Sequence, residues 1–328
     1  MKAAPIFALP CLLLLPSAFA QEGPGTITVE PAEIFQGGVA VLTFTGKEVA
    51  GAKVFFGDTE IIPFPIQDGS YTALAGVDLE TPPGAVAISV RGRSGAGQQW
   101  ERRAVASVLA KEFPREAFSV SPSFDQLDAA TMKRIKREQA EFDRLWKMRT
   151  AGRLWDGGFL APVPGDITSP FGLRRVINSL PRAPHGGVDL KAQLGMEIVA
   201  ANHGRVALRD DFYFSGKSIV LDHGGGVYTM YFHLSEFRVE KHAQVRKGDV
   251  IGLAGMTGRV TGPHLHWGAR LNGARVDPME LLKIAGRRQE APPQRLADPP
   301  LAEVGSEQSA EGPSTGSGQA KGKSKNAK

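Results

Sequence analysis

Cys11 is the only cysteine in 328 residues. Disulfide frameworks, zinc–cysteine sites and cysteine nucleophiles are therefore excluded from any chain that has lost its first residues. Long apolar runs are missing as well. The best, Ile6–Leu15 ("IFALPCLLLL"), is too short and too interrupted by proline to span a membrane. One-sided charge is also lacking: 39 basic against 34 acidic residues leave a net charge of +5. That is too mild, and too scattered along the chain, for nucleic-acid binding, and its usual cause is a solvated basic surface. Histidine is scarce, with seven in all and none before His185. Without thiols, a metal would have to be held by His, Asp or Glu.

Glycine (39) and proline (23) are abundant, which favours strands and turns over a helix bundle. Lys2, the apolar stretch and the small residues Ala18 and Ala20 fit an export signal cleaved after Ala20. From Gly25 to about Leu109, segments such as "VAVLTFT", "AKVFFGD" and "GAVAISVRG" are rich in β-branched and aromatic residues between Gly-, Pro- and Asp-containing turns. Their rhythm predicts an immunoglobulin-like β-sandwich. No cysteine–tryptophan pin marks it, so the expectation rests on strand rhythm alone. Residues 121–150 carry Leu127, Met132, Ile135, Phe142 and Trp146 near helical spacing, with Ser123 or Asp125 as a cap. This predicts one amphipathic helix docked by its apolar stripe. Strands return from Ala161 to about Ile284, where "DHGGG" and "LNG" favour antiparallel hairpins. After Ile284 the chain is rich in Pro, Ser, Gly, Ala and Lys, and disorder is expected.

Three short stretches carry chemistry. In "PHGGVDL", His185 and Asp189 lie four apart; glycine disfavours a helix, and in an extended strand both share a face. Imidazole and carboxylate suit zinc, although a plain His–Asp hydrogen bond fits the same pair. In "PHLHW", His264 and His266 project to one face of a strand and Leu265 to the other. Two imidazoles roughly 7 Å apart by strand rise can serve one ion differently, one as ligand and one beside the attacking water. "YFHLS" places His233 at the end of a strand, where a single histidine is ordinarily a core or edge residue.

"SPFGLRR", "HGGVDL", "YFHLS" and "GPHLHWGAR" occur in that order, with "VRKGDVIGLAG" between the last two. In this the chain resembles the lysostaphin-like zinc metallopeptidases that cleave peptidoglycan, the M23 peptidase family, over about Pro164 to Leu282. The resemblance implies one zinc ion held by His185, Asp189 and His266. It implies that His233 and His264 orient or deprotonate the attacking water and stabilise the tetrahedral intermediate. The sequence does not divide those roles between the two. Phe171 and Gly172 read as packing and turn residues, Arg174 or Asn178 as candidates to face the cleft. His223 reads as a turn residue, and His203 and His242 as surface residues. Some family members carry a tyrosine shortly before the first ligand, whereas none stands between Ser169 and His185.

The expected architecture is mainly β: a signal peptide (1–20), an N-terminal immunoglobulin-like β-sandwich (21–112), a helical linker (113–160), a C-terminal antiparallel β peptidase domain (161–284) and a disordered tail (285–328). The implied activity is that of an exported zinc metalloendopeptidase cutting peptidoglycan stem peptides or cross-bridges. A general secreted protease using the same site is another reading. Degenerate relatives act instead as non-catalytic wall-binding regulators of amidases, but this chain keeps all five positions. The layout resembles that of periplasmic envelope enzymes, with full secretion as the alternative. Peptidoglycan is the expected partner, with a cell-envelope protein on the N-terminal module; no nucleic acid and no transmembrane anchor after signal cleavage are expected.

Overall fold

The computed structural model describes residues 21–23, 25–46, 51–66, 69–121 and 127–284. The predicted signal peptide and tail lie outside them. The fold is mainly β, as the strand rhythm implies. Among the described residues no helix is long and apolar enough to cross a membrane.

The N-terminal strands form two sheets. One joins Ile27–Glu30, Val39–Phe44, Tyr71–Gly76 and Phe64–Pro65; the other is built mainly from Lys53–Phe56, Thr59–Ile61, Gly84–Arg93 and Gln99–Leu109. Alternate residues of Val39–Phe44 (Ala40, Leu42 and Phe44) meet Val54, Ile88 and Val90 of the other sheet in one core. Trp100 is buried there, so closely set that a Cβ on Gly92 would lie 2.3 Å from its ring. A tryptophan thus anchors this core without a cysteine pair beside it.

The predicted helix is shorter than its apolar pattern, running from Ala129 to Leu145. Asp128 caps it, its carboxylate accepting the Thr131 N–H at 2.6 Å, while Ser123 and Asp125 fall outside the described residues. Only the C-terminal half of the stripe docks: Phe142, Leu145 and Trp146 pack with Phe212, Tyr228 and Met230, and Met132 stays exposed.

The second large sheet has ten strands. Its centre is the antiparallel run Gly187–Leu190, Leu265–Leu271, Val227–Phe237, Gly216–Asp222 and Gly204–Phe212. Asn272 and Gly273, both at positive φ, form the two-residue turn that the "LNG" signal predicts and return the chain into Ala274–Val276. The core beneath this sheet is shared. Val39, Phe64, Leu74 and Leu79 from the N-terminal strands join Val188, Tyr231, Leu265 and Trp267 in one apolar cluster. The seam is also polar: Asp78 accepts two hydrogen bonds from the Arg275 guanidinium at 2.7 and 2.9 Å, and Glu80 a third at 2.7 Å. The N-terminal strands therefore belong to the same compact unit as the large sheet.

Candidate metal centre

Register builds the centre. Gly187–Leu190 and Leu265–Leu271 pair antiparallel with Asp189 directly opposite His266. Facing residues on one side of a sheet hold their Cβ atoms about 4.5–5.5 Å apart, so these two side chains meet. Glycine at 187 is required by the close approach: a Cβ there would stand 2.4 Å from the Trp267 carbonyl oxygen and 2.8 Å from His266 Nε2. His185 precedes the strand and is fixed by the "SPFG" segment. Its N–H donates to the Leu173 carbonyl, and its carbonyl accepts from Gly172. Gly172 has φ 77°, and Phe171 is buried against Phe113, consistent with turn and packing duties.

The three candidate ligands converge. His185 Nε2 lies 3.0 Å from Asp189 Oδ1 and 2.9 Å from His266 Nδ1, and His266 Nδ1 lies 2.9 Å from Asp189 Oδ1. His185 Nδ1 faces the Pro170 carbonyl at 2.9 Å and so carries the proton, leaving the Nε2 lone pair aimed at the cluster. Acceptor thus faces acceptor, an arrangement that one shared cation resolves. Two imidazole nitrogens and a carboxylate oxygen are a zinc donor set, and three ligands leave a position open. The residues fit the ion that the sequence implies, and their mutual distances are close to the roughly 3.3 Å between ligands of one zinc. Burial alone would raise the Asp189 pKa. The closeness of His185 and His266 outweighs it and holds the carboxyl well below the usual range. Burial lowers the His266 imidazole.

His233 and His264 adjoin the cluster. Alternation along Val227–Phe237 would send residues 232 and 233 to opposite faces. Instead His233 has φ 65°, at an irregularity where the register shifts, and the bend redirects its ring. Phe232 stacks on His266 at 5.3 Å, while the His233 ring lies 4.9 Å from that of His264. His233 is therefore neither the end of its strand nor an ordinary core residue. Its Nδ1–H donates to the Thr257 carbonyl at 2.9 Å, and His264 Nδ1–H donates to that of Gly262 at 2.9 Å. Each ring keeps Nε2 as a lone pair, that of His264 lying 3.7 Å from Asp189 Oδ1. Burial lowers the His233 imidazole to about 4, so it is neutral at pH 7. The ligand side chains remain 10–14% accessible and His264 19%, enough for a small molecule to reach them.

Other candidates fall elsewhere. Asn178 sits in a turn at φ 51° and accepts from Val120 N–H, and the Arg174 guanidinium lies over Phe113; neither joins the cluster. His223 adjoins the turn, as expected. It is fully buried, with Nδ1 2.7 Å from the His203 carbonyl and Nε2 2.7 Å from Thr229 Oγ1. His203 is half-buried, its Nδ1 accepting from Lys247 N–H, and His242 is exposed as expected. Sequence reasoning missed Arg175, whose guanidinium donates to Ser169 Oγ at 3.0 Å; that hydroxyl lies 3.4 Å from His185 Nδ1. Only the doubled arginine of "GLRR" hinted at it.

A His–Asp–His ligand cluster open to solvent on an antiparallel sheet, with two further imidazoles beside it, is the centre of a metal-dependent hydrolase. Residues 183–278 match peptidase family M23. A crystal structure of a peptidase M23 from Pseudomonas aeruginosa is 31% identical, covering 76% of this chain and 94% of that one with a TM-score of 0.59. The chain belongs to peptidase family M23. Among curated proteins it is similar to the peptidoglycan DD-endopeptidase ShyA of Vibrio cholerae, 38% identical over 115 residues, or 35% of this chain and 27% of that protein. It is similar also to the DD-carboxypeptidase/endopeptidase Mpg of Neisseria meningitidis, 39% identical over 115 residues, or 35% and 26% respectively. The match thus spans about a quarter of the length of these curated relatives.

Proposed function

We propose that this protein is an exported, periplasmic zinc metalloendopeptidase that hydrolyses peptide bonds in peptidoglycan stem peptides or cross-bridges. The observation that carries the reading is the convergence of His185 Nε2, Asp189 Oδ1 and His266 Nδ1 within 3.0 Å of one another, beside two imidazoles with free Nε2 lone pairs. The substrate class follows from the relatives' names.

His185, Asp189 and His266 would hold one zinc ion. Zinc supplies Lewis acidity and makes hydroxide available near neutral pH. His233, neutral and fixed by Thr257, can take a proton at Nε2 and return it to a leaving amine. His264, fixed by Gly262 and with its ring 4.9 Å from that of His233, can serve the same exchange or, once protonated, donate to a developing oxyanion. The carbonyls of Pro170, Thr257 and Gly262 each hold one ring nitrogen, so the imidazoles are oriented before substrate arrives.

The test is metal analysis combined with digestion of purified sacculi. Wild type should carry one zinc and release muropeptides; His266→Ala should lose both. His233→Ala should keep zinc and lose roughly 10²–10⁴-fold in rate. A protein without zinc, or variants that digest at the wild-type rate, refutes the assignment. Binding to sacculi without muropeptide release would point to a non-catalytic, amidase-regulating role. Cell fractionation tests the periplasmic location.

A further inference from the structure

A groove with a volume of about 450 Å³ leads away from the ligand cluster. His266, Met230, Phe232 and Arg270 line it from the sheet, and Phe142 and Trp146 from the Ala129–Leu145 helix. His266, Gly268 and Arg270 project to one face of their strand, with about 13 Å between the first and last Cα by strand rise. Between them Gly268 makes room for the Met230 methyl, since a Cβ there would lie 2.5 Å from Met230 Cε. The groove is thus mainly apolar with both His266 and Arg270 on its wall; Glu138, which also lines it, is already taken by Arg134 and the Tyr213 N–H.

Arg270 stands opposite Arg275 in the register of the Asn272–Gly273 hairpin. Like charges in facing positions repel. Asp78 and Glu80 resolve the conflict by taking Arg275 alone, with three hydrogen bonds of 2.7–2.9 Å. Arg270 donates to the Gly273 carbonyl at 2.7 Å and lies 4.7 Å from the Trp146 ring centre, but among the described residues it has no carboxylate partner. Asp143, which attracts it from the helix, already accepts from Gln139. Burial lowers the Arg270 guanidinium to about 10, so it is still charged at neutral pH. A planar guanidinium that is partly desolvated, held against an indole face and unpaired matches a carboxylate in shape and charge.

We propose that Arg270 anchors a carboxylate of the peptide substrate and thereby selects which peptides the centre receives. The anchored group belongs to the same substrate as the reacting bond: about four residues of extended chain span the distance, or fewer when the carboxylate ends a side chain. The helix and the Asp78–Glu80 pair act as positioning elements, the first through Trp146 and the second by occupying Arg275. This inference rests on the peptidase reading for the identity of the peptide, though not for the presence of the anion site.

The experiment uses the full mature chain in a His233→Ala background, so that binding is read without turnover. The probes are cross-linked stem-peptide dimers released from sacculi by an amidase, and the same dimers after carbodiimide conversion of their carboxylates to carboxamides. Calorimetry should show amidation weakening binding at least tenfold with Arg270 present. In Arg270→Gln both forms should bind equally, and Arg270→Lys should restore part of the preference; thermal unfolding checks that each variant is folded. Equal binding of both probes to the Arg270 protein, no binding of either, or a preference surviving in folded Arg270→Gln overturns the proposal. If the preference holds while wild type leaves sacculi intact, the peptidase reading fails and the anion site stands.

Discussion

Acidification from pH 7 should destabilise this protein in part through one residue far from the proposed chemistry, His223. Its ring is fully buried, held between the His203 carbonyl and Thr229 Oγ1, with Phe159 edge-on at 5.3 Å. Burial lowers its imidazole from 6.5 to about 4. Below pH 6.5 the unfolded chain takes up a proton that the folded chain refuses, so stability falls with pH until about 4. At 1.36 kcal/mol for each of about 2.5 pH units the full loss is about 3 kcal/mol, of which about 2 kcal/mol falls between pH 7 and 5. Against a total of 5–15 kcal/mol for an ordinary domain, that is measurable. Asp222, raised by burial, works in the opposite sense: its folded form holds a proton longer, so acid stabilises it over the range just above 3.8. That effect is common to wild type and variant and cancels when their losses are compared. The assay is guanidinium unfolding followed by tryptophan fluorescence at pH 7 and 5, for wild type and His223→Gln. Glutamine keeps an N–H donor and does not titrate. Each protein is compared with itself, so the packing lost on substitution cancels, as do the contributions of His233 and His266. Wild type should lose about 2 kcal/mol more than the variant over this interval. Equal losses would show that His223 is not buried neutral and refute the reasoning.

Gly187→Ala should leave a folded protein that retains no metal, because its Cβ would meet the Trp267 carbonyl and His266 Nε2 and spread the ligand triangle; zinc content after gel filtration and circular dichroism decide it. His233→Asn should slow sacculus digestion by roughly 10²-fold or more without lowering the melting temperature in proportion, since asparagine tolerates the φ of 65°; a large fall in melting temperature alongside the rate would count against it. Asp78→Ala should cost about 1.5–3 kcal/mol in urea unfolding, through loss of charged hydrogen bonds to Arg275. A double substitution with Arg275→Ala should then cost less than the sum of the two singles. A chain beginning at Leu160 should be less stable and more prone to aggregate than the mature chain, because it lacks Phe64, Leu74, Leu145 and Trp155, each worth roughly 1.5–3 kcal/mol when buried; matching melting curves would contradict this.

Much of the centre was legible because its parts are local. Two-residue spacing in "HLH" follows from strand geometry, whereas His185 precedes its strand and is brought in by the "SPFG" segment, and the crowding that requires glycine at 187 shows only in the strand register. The fate of His233 was less legible. Strand alternation alone places it on the wrong face, and the bend that corrects it lies in a φ of 65°, which no apolar pattern encodes. The burial of His223 was not legible, because "DHGGG" shows only the composition of a turn. It does turn, but Phe159 from the segment after the helix and the close approach of Gly204 bury the ring. The helix begins at Asp128, whose carboxylate takes the Thr131 N–H, although the apolar period extends over residues 121–150; its apolar packing centres on Phe142, Leu145 and Trp146.

The N-terminal strands fit poorly with a detachable spacer. A tethered module needs a surface of its own, yet Val39, Phe64, Leu74 and Leu79 complete the core beneath the metal-ligand strands. The same seam sets charge as well as packing. Without Asp78 and Glu80, Arg275 would face Arg270 as a second uncompensated cation, and the hairpin that carries both would be under repulsion. With them, one guanidinium becomes structural and the other is left available. The helix completes the division, covering Tyr228 and Met230 on one side while turning Phe142 and Trp146 toward the groove. Reactive groups come from one sheet and the segments that lead into its strands, therefore, whereas the walls and charge of the groove leading to them draw also on the helix and the Asp78–Glu80 pair. Variation in the N-terminal strands and the helix is then a route to altered peptide selection with the His–Asp–His cluster unchanged.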